Sequence, residues 1–312
     1  MRIVFMGTPD FAVSSLERLL LDGHEVCAVF TQPDKPVGRK HVQTPPPVKV
    51  LAAEKGIPVY QPTGLRDEGV LTQLQMLVPE LIVVVAYGKI LPKTLLEIPK
   101  YGCVNVHGSL LPQYRGAAPI QWSVIKGEPV AGVTTMQMDV GMDTGDILHV
   151  LSTSVNPDET SGELYERLSK IGAQALSETL AKLGDGLLAP VKQDESQATY
   201  APMLTKGDSP IDWKRSAQEI HNQVRGLSPW PSAQTTWEDK TLKIHKTQLS
   251  DTEMPDGIDS AAGKIVCLDP LAVVCGDGNG LILLEVQLAG GKRMDSGDFL
   301  RGNRLTVGTK LV

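Results

Sequence analysis

The sequence predicts an α/β chain in two parts: a doubly wound, mostly parallel sheet domain, followed by a smaller antiparallel sheet or barrel. Three observations carry this reading. From residue 1 to about 190, short apolar strands alternate with amphipathic stretches, the order that builds a parallel sheet flanked by helices. The run Ile82-Val83-Val84-Val85 is apolar on both faces, as a strand buried inside such a sheet must be. Beyond about residue 210, short β-like runs are separated by turn clusters such as Gly276-Asp277-Gly278-Asn279-Gly280, which suits a small antiparallel sheet or barrel.

Strands are expected over 2–6, 26–31, 81–86 and 102–107, and helices over 11–21, 47–55 and 116–126. The first helix follows the turn Gly7-Thr8-Pro9-Asp10. Thr160 with Glu163 three residues later makes a capping box, and Leu164, Leu168, Ile171, Ala175 and Leu183 then recur at helical spacing until Gly184-Asp185-Gly186. A long helix should therefore close the first domain, 1–189. Residues 190–209 are polar and irregular and read as a linker. In the second domain, 210–312, a short helix near 216–226 leads into strands over 233–237, 241–249, 263–268, 271–275 and 281–287.

A chain of 312 residues supports two cores. Its formal charge of −6 opposes any polyanion, so a nucleic acid must find a local basic patch and a DNA-coating role is disfavoured. Cys27, Cys103, Cys267 and Cys275 lack the C-x-x-C spacing of a zinc or redox site and read as reduced thiols. No signal-peptide block follows Met1, and the apolar runs are too short to span a bilayer. A cytoplasmic protein without membrane contact is expected.

Three segments could carry chemistry. In Cys103-Val104-Asn105-Val106-His107-Gly108, a strand puts Asn105 and His107 on one face. An amide and an imidazole together suit a carbonyl oxygen that gains negative charge under attack; a satisfied core polar pair is the alternative. In Asp139-Val140-Gly141-Met142-Asp143-Thr144-Gly145-Asp146, one carboxylate placed against His107 would orient it and favour its cationic form, although such aspartates also serve as plain turn formers. A metal site from Asp143, Asp146 and His149 has poor ligand spacing. The loop Ser109-Leu110-Leu111-Pro112-Gln113-Tyr114-Arg115 can wall a flat ligand, or be a packed connection.

With these segments in order, the chain resembles the folate-dependent formyltransferases over essentially its full length. The resemblance runs through MGTPDFA at 6–12, TQPD at 31–34, VAYG at 85–88, NVHGSLLP at 105–112, RGAAPIQ at 115–121, MQMD at 136–139 and DTGD at 143–146. It implies transfer of a formyl group from 10-formyltetrahydrofolate to the α-amine of methionine esterified to initiator tRNA, with no metal. It implies a catalytic trio of Asn105, His107 and Asp143, and a folate site at Ser109, Leu110, Leu111 and Pro112, with Tyr87, Gly88, Asp139 and Gly141 beside it. It further implies a Rossmann-like catalytic domain and an OB-like β-barrel domain that binds tRNA, in a monomer.

The segment 34–49 carries four basic residues against one acid. Its Lys35, Arg39, Lys40 and Lys49 are candidate tRNA contacts, Arg39 and Lys40 foremost, although a solvated charged loop has the same composition. The tail adds Arg301 and Arg304, and Lys243 and Lys246 extend the set. Trp213, Trp230 and Trp237 could stack on bases, but packing suits them better. A sister enzyme acting on a sugar-nucleotide or ribonucleotide amine is one rival. A non-catalytic or NAD-dependent nucleotide-binding protein is another, and it fails because the first turn lacks the later glycines of G-x-G-x-x-G.

Overall fold

β-Branched residues dominate the strand Leu81–Val85, which pairs in parallel with the buried strand Arg2–Gly7 at the centre of a seven-stranded sheet. Across that sheet the order is Ile147–Ser154, Val130–Gln137, Cys103–His107, Leu81–Val85, Arg2–Gly7, Glu25–Phe30 and Val59–Tyr60. The five strands from Val59–Tyr60 to Cys103–His107 run in parallel, whereas Val130–Gln137 pairs antiparallel with Cys103–His107. The sheet is mixed because of that edge. This computed structural model describes residues 1–38, 41–250 and 261–312.

One face of the sheet buries Val4, Met6, Phe30, Ile82, Val84 and Cys103 together with Leu74 and Leu95. On the other face, Val106 meets Gly172 of the helix Ser161–Gly184, where an added Cβ would crowd the valine at 3.0 Å. Phe11 of the helix Asp10–Leu21 packs on Tyr165 with ring centroids 5.2 Å apart. The expected capping box forms: the Thr160 N–H donates to Glu163 at 2.8 Å, and the Glu163 N–H donates to the Thr160 hydroxyl at 3.2 Å.

Two compact units divide the chain. The first comprises Met1–Pro119, Ala131–Thr153 and Tyr165–Ala201; the second comprises Ile120–Val130, Ser154–Leu164 and Pro202–Val312. The simple boundary expected near 190 is therefore not where the packing divides. Within the second unit, Arg225 donates to the Glu159 carbonyl at 3.2 Å and Ser161 to the Ser228 carbonyl at 2.8 Å. These bonds hold residues from early in the chain against later ones.

Residues 190–209 also differ from the expected linker. Val191 exchanges two 2.8 Å backbone hydrogen bonds with Ile147. Tyr200–Ala201 pairs in parallel with Arg115–Gly116. The polar composition that suggested solvent instead supplies hydrogen-bond partners to the first unit.

The second unit is built on antiparallel strands in the order Ala233–Trp237, Lys240–Leu249, Gly280–Leu288, Leu271–Val274 and Ile265–Leu268, with Met294–Asp295 also on Gly280–Leu288. Among the described residues the two end strands do not pair, so no closed barrel forms. The last residues bridge them: Val312 exchanges backbone hydrogen bonds with Thr236, and Thr309 accepts from the Ile265 N–H at 2.8 Å. Trp213 and Trp237 are buried, Trp237 edge-on to Phe299, while Trp230 is exposed. No helix among the described residues is long and apolar enough to cross a membrane.

The helix Asp10–Leu21 offers a direct check on this packing, because Leu19 is fully buried and Leu21 is 83% exposed. Leu19→Ala is expected to cost about 2–5 kcal/mol in denaturant unfolding. Leu21→Ala is expected to stay within about 0.5 kcal/mol of the parent. Equal effects would contradict the assigned core face.

Candidate active site

Strand alternation places Asn105 and His107 on the same face of Cys103–His107, at the carboxyl end of the parallel strands. Both are more than nine-tenths buried. The Asn105 carboxamide forms no hydrogen bond to another described residue, yet its polar atoms are not sealed in. A donor so placed is directed at something the protein does not itself provide.

His107 Nε2 lies 3.0 Å from the Tyr114 carbonyl. A carbonyl only accepts, so Nε2 carries a hydrogen and is committed to that bond. Nδ1 faces Asp143 Oδ2 at 3.7 Å, too long for a hydrogen bond but close enough for charge to act. The expectation that the amide and the imidazole together serve a carbonyl oxygen is thus refined. Asn105 offers its amide, while His107 offers only Nδ1.

Neither partner of His107 sits in relaxed backbone. Tyr114 has φ +59° and Asp143 has φ +55°, left-handed values that cost a non-glycine residue of order 1 kcal/mol or more. Both are held from outside. Asp143 Oδ2 accepts the Gly116 N–H at 2.8 Å, and the Tyr114 N–H donates to Thr199 Oγ1 at 2.8 Å. The Asp143 loop is closed by Asp139, whose Oδ1 accepts from the Gly141 N–H at 3.0 Å and the Thr144 hydroxyl at 2.6 Å. At Gly145 a Cβ would overlap the Gln137 carbonyl, so only glycine lets the loop lie this close.

Beneath these loops is Arg115, a fully buried cation. Its guanidinium donates to Glu195 at 2.7 and 2.9 Å and to Gln193 Oε1 at 2.8 and 3.1 Å. The Gln193 amide in turn donates to the carbonyls of Asp143 at 2.8 Å and Gly145 at 2.7 Å. Glu195, Gln193 and Thr199 were missed by sequence reasoning. A polar run soon after the helix end at Gly184-Asp185-Gly186 looks like linker, and only the buried arginine hints that it needs acceptors.

The other predicted site residues distribute unevenly. The Ser109 hydroxyl donates to the Gln113 carbonyl at 2.7 Å, and Thr134 Oγ1 joins the Ser109 carbonyl to the Leu111 N–H. These bonds shape the loop, leaving Leu110 and Pro112 half-buried. Tyr87 departs from the expected role: its ring is in the core, and burial pushes its phenol up to about 12. Its carbonyl accepts from Thr8 at 3.1 Å and Gln32 at 3.0 Å, which leaves Gly88 exposed at the strand ends. Val140 and Met142 are exposed apolar side chains beside Asp143. Among the described residues no His, Cys, Asp and Glu cluster could hold a metal ion; His149 is engaged with Glu178 at 2.6 Å.

Of the basic candidates, Arg39 and Lys40 lie outside the described residues. Lys35 is exposed on the strand Lys35–Val37, which pairs with Val42–Thr44. Lys49 departs from a free-contact role, because its ammonium binds Asp34 at 2.8 Å and Gln61 at 2.8 Å. Arg301 is paired with Asp298. Lys246 and Arg304 are exposed, and Lys243 is half-buried.

The Arg115 guanidinium holds the Glu195 carboxyl below the usual glutamate range. A depressed folded value means that this stabilisation is complete above the ordinary range and is lost as pH falls through the folded value. Glu195→Gln is therefore expected to flatten the acid limb of stability against pH, followed by urea midpoints between about pH 3 and pH 7. An unchanged limb would show that the pair does not couple to folding.

Residues 1–180 match the formyl transferase family, and residues 203–304 match the formyl transferase C-terminal domain. A methionyl-tRNA formyltransferase of Geobacter metallireducens is 52% identical over 309 residues, covering 99% of this chain and 98% of that one. One from Citrifermentans bemidjiense is 51% identical over 308 residues, covering 99% and 95%. Among solved structures, the sugar 3N-formyl transferase WlaRD, determined with dTDP and 5-N-formyl-THF, superposes with a TM-score of 0.67 at 19% identity, over 91% of this chain and 97% of that one. HypX from Aquifex aeolicus with tetrahydrofolic acid gives 0.61 at 15% identity, over 99% of this chain and 50% of that one. At those identities the solved structures speak for the fold alone. By its sequence matches in both parts, the chain belongs to the formyl transferase family.

Proposed function

We propose that this protein transfers a formyl group from 10-formyltetrahydrofolate to the α-amine of methionine esterified to initiator tRNA, in the cytoplasm, for translation initiation. The observation that carries the reading is the unpartnered Asn105 carboxamide beside the His107–Asp143 pair, in a chain half identical to methionyl-tRNA formyltransferases along its length. The sugar 3N-formyl transferase named above is 19% identical, far below the methionyl-tRNA formyltransferases.

The formyl donor, when bound, supplies a formyl carbon activated by its attachment to N10. The residues present fit such a flat, partly apolar molecule. Leu110 and Pro112 on one loop, and Val140 and Met142 on another, offer apolar surface close in sequence to the polar trio. The Asn105 amide donates to the oxygen on which charge develops as the amine attacks. Such a donor costs little reorganisation when it is already fixed in a buried site. His107 Nδ1, its ring locked by the Tyr114 carbonyl, is placed to take up a proton from the attacking amine. Asp143 stabilises the charge the imidazole then carries and passes it no proton. The imidazole then returns that proton to N10 as its bond to the formyl carbon breaks, so that the proton taken from the amine is the one given to the leaving group.

We read the sheet of the second unit, with its ends bridged by the terminal residues, as an OB-type barrel that carries tRNA. Lys35, Lys243, Lys246 and Arg304 are the described residues assigned to phosphate contacts; Arg39 and Lys40 belong to the same proposal.

Asn105→Ala is expected to lower kcat by about 10²–10³ while the folate still binds. The checks are single-turnover formylation of Met-tRNA and folate titration; near-normal turnover would remove Asn105 from the chemistry. Lys35→Ala and Arg304→Ala are each expected to weaken tRNA binding and to reduce the salt slope of log K by about one. Slopes equal to the parent's would place the tRNA elsewhere.

A further inference from the structure

We propose that Gln193 is a positioning residue for formyl transfer, acting through the Asp143 loop; this rests on the reaction assigned above. Its side-chain amide is saturated. Both Nε2 hydrogens are used on the carbonyls of Asp143 and Gly145, at 2.8 and 2.7 Å. Oε1 receives two N–H groups of Arg115, at 2.8 and 3.1 Å. A glutamine with all four hydrogen bonds made cannot be meeting a substrate. It can only hold what it touches.

What it touches are the two loops that converge on His107. On one side are the backbone atoms flanking Thr144, which set the left-handed turn at Asp143. On the other is Arg115, whose neighbours in sequence supply both remaining contacts: the Tyr114 carbonyl on His107 Nε2 and the Gly116 N–H on Asp143 Oδ2. Gln193 therefore ties Arg115, the residue after the one that orients His107, to the residue that faces its other nitrogen. The left-handed backbone at Asp143 is unfavourable alone, and two donated hydrogen bonds to its carbonyl side are of the right size to offset it.

Two variants separate this role from general packing. Gln193→Glu keeps an acceptor for the buried Arg115 cation but removes both donors to the Asp143 loop; Gln193→Met removes everything. Exchange of the Gly116 amide hydrogen, read by NMR, reports the position of the Asp143 carboxylate whether or not the reaction is the one assigned. It is expected to speed up by about tenfold or more in both variants. With Met-tRNA and 10-formyltetrahydrofolate, kcat is expected to fall by about tenfold or more while both KM values stay within about threefold. In an Asp143→Asn background Gln193→Glu, which keeps the acceptor for Arg115, should change kcat by less than about twofold. Unaltered Gly116 exchange, or a loss of kcat as large with Asp143→Asn as without it, overturns the proposal. Wild-type protein that does not formylate Met-tRNA overturns the reaction assignment instead, and Gly116 exchange then decides the positioning role alone.

Discussion

The site depends on one carboxylate oxygen. Asp143 Oδ2 accepts the Gly116 N–H at 2.8 Å and faces His107 Nδ1 at 3.7 Å, so a single atom joins a loop, a strand end and a second loop. Its place is not favoured locally, because Asp143 adopts φ +55°. The fold must hold it there. It does so through residues from the far end of the first unit, which clamp the backbone around Asp143 while also satisfying a buried arginine. Local strain at a functional loop is thereby offset by hydrogen bonds made elsewhere.

This arrangement divides the work between the polar residues. Asn105 is neutral and cannot titrate, so its donor is available at every working pH. His107 is asymmetric: one nitrogen is spent on the Tyr114 carbonyl, which fixes the ring, and the other faces Asp143, where the proposed reaction uses it. Removing a preorganised donor from a buried site typically costs about 10²–10³ in rate. Exposed ion pairs contribute on the order of 0–1 kcal/mol to stability, so surface contacts such as Arg301 with Asp298 matter little beside it.

Much of this was legible in the sequence, for physical reasons. The central strand Leu81–Val85 announces itself by its β-branched, two-sided apolar run, and the long helix by its capping box and period. Asn105 and His107 could be placed on one face because strand geometry alternates strictly. Asp143 was a candidate through its loop chemistry. The remainder came from contacts distant in sequence. That Tyr114 would lend its carbonyl to a ring seven residues earlier, or that the side chains of Gln193 and Glu195 would reach Arg115 across some 80 residues, is recorded in no local pattern. For the same reason 190–209 looked like a linker, Tyr87 looked like a ligand contact although its ring fills the core, and Lys49 looked like a phosphate contact although Asp34 holds it.

The most direct measurement is the tautomer of His107 in its neutral form, read by ¹⁵N NMR on histidine-labelled protein. If the ring is locked as described, the proton resides on Nε2, bonded to the Tyr114 carbonyl, and Nδ1 is bare. A neutral ring with its proton on Nδ1, directed at Asp143, would contradict the assignment of Nδ1 as the nitrogen that meets the substrate.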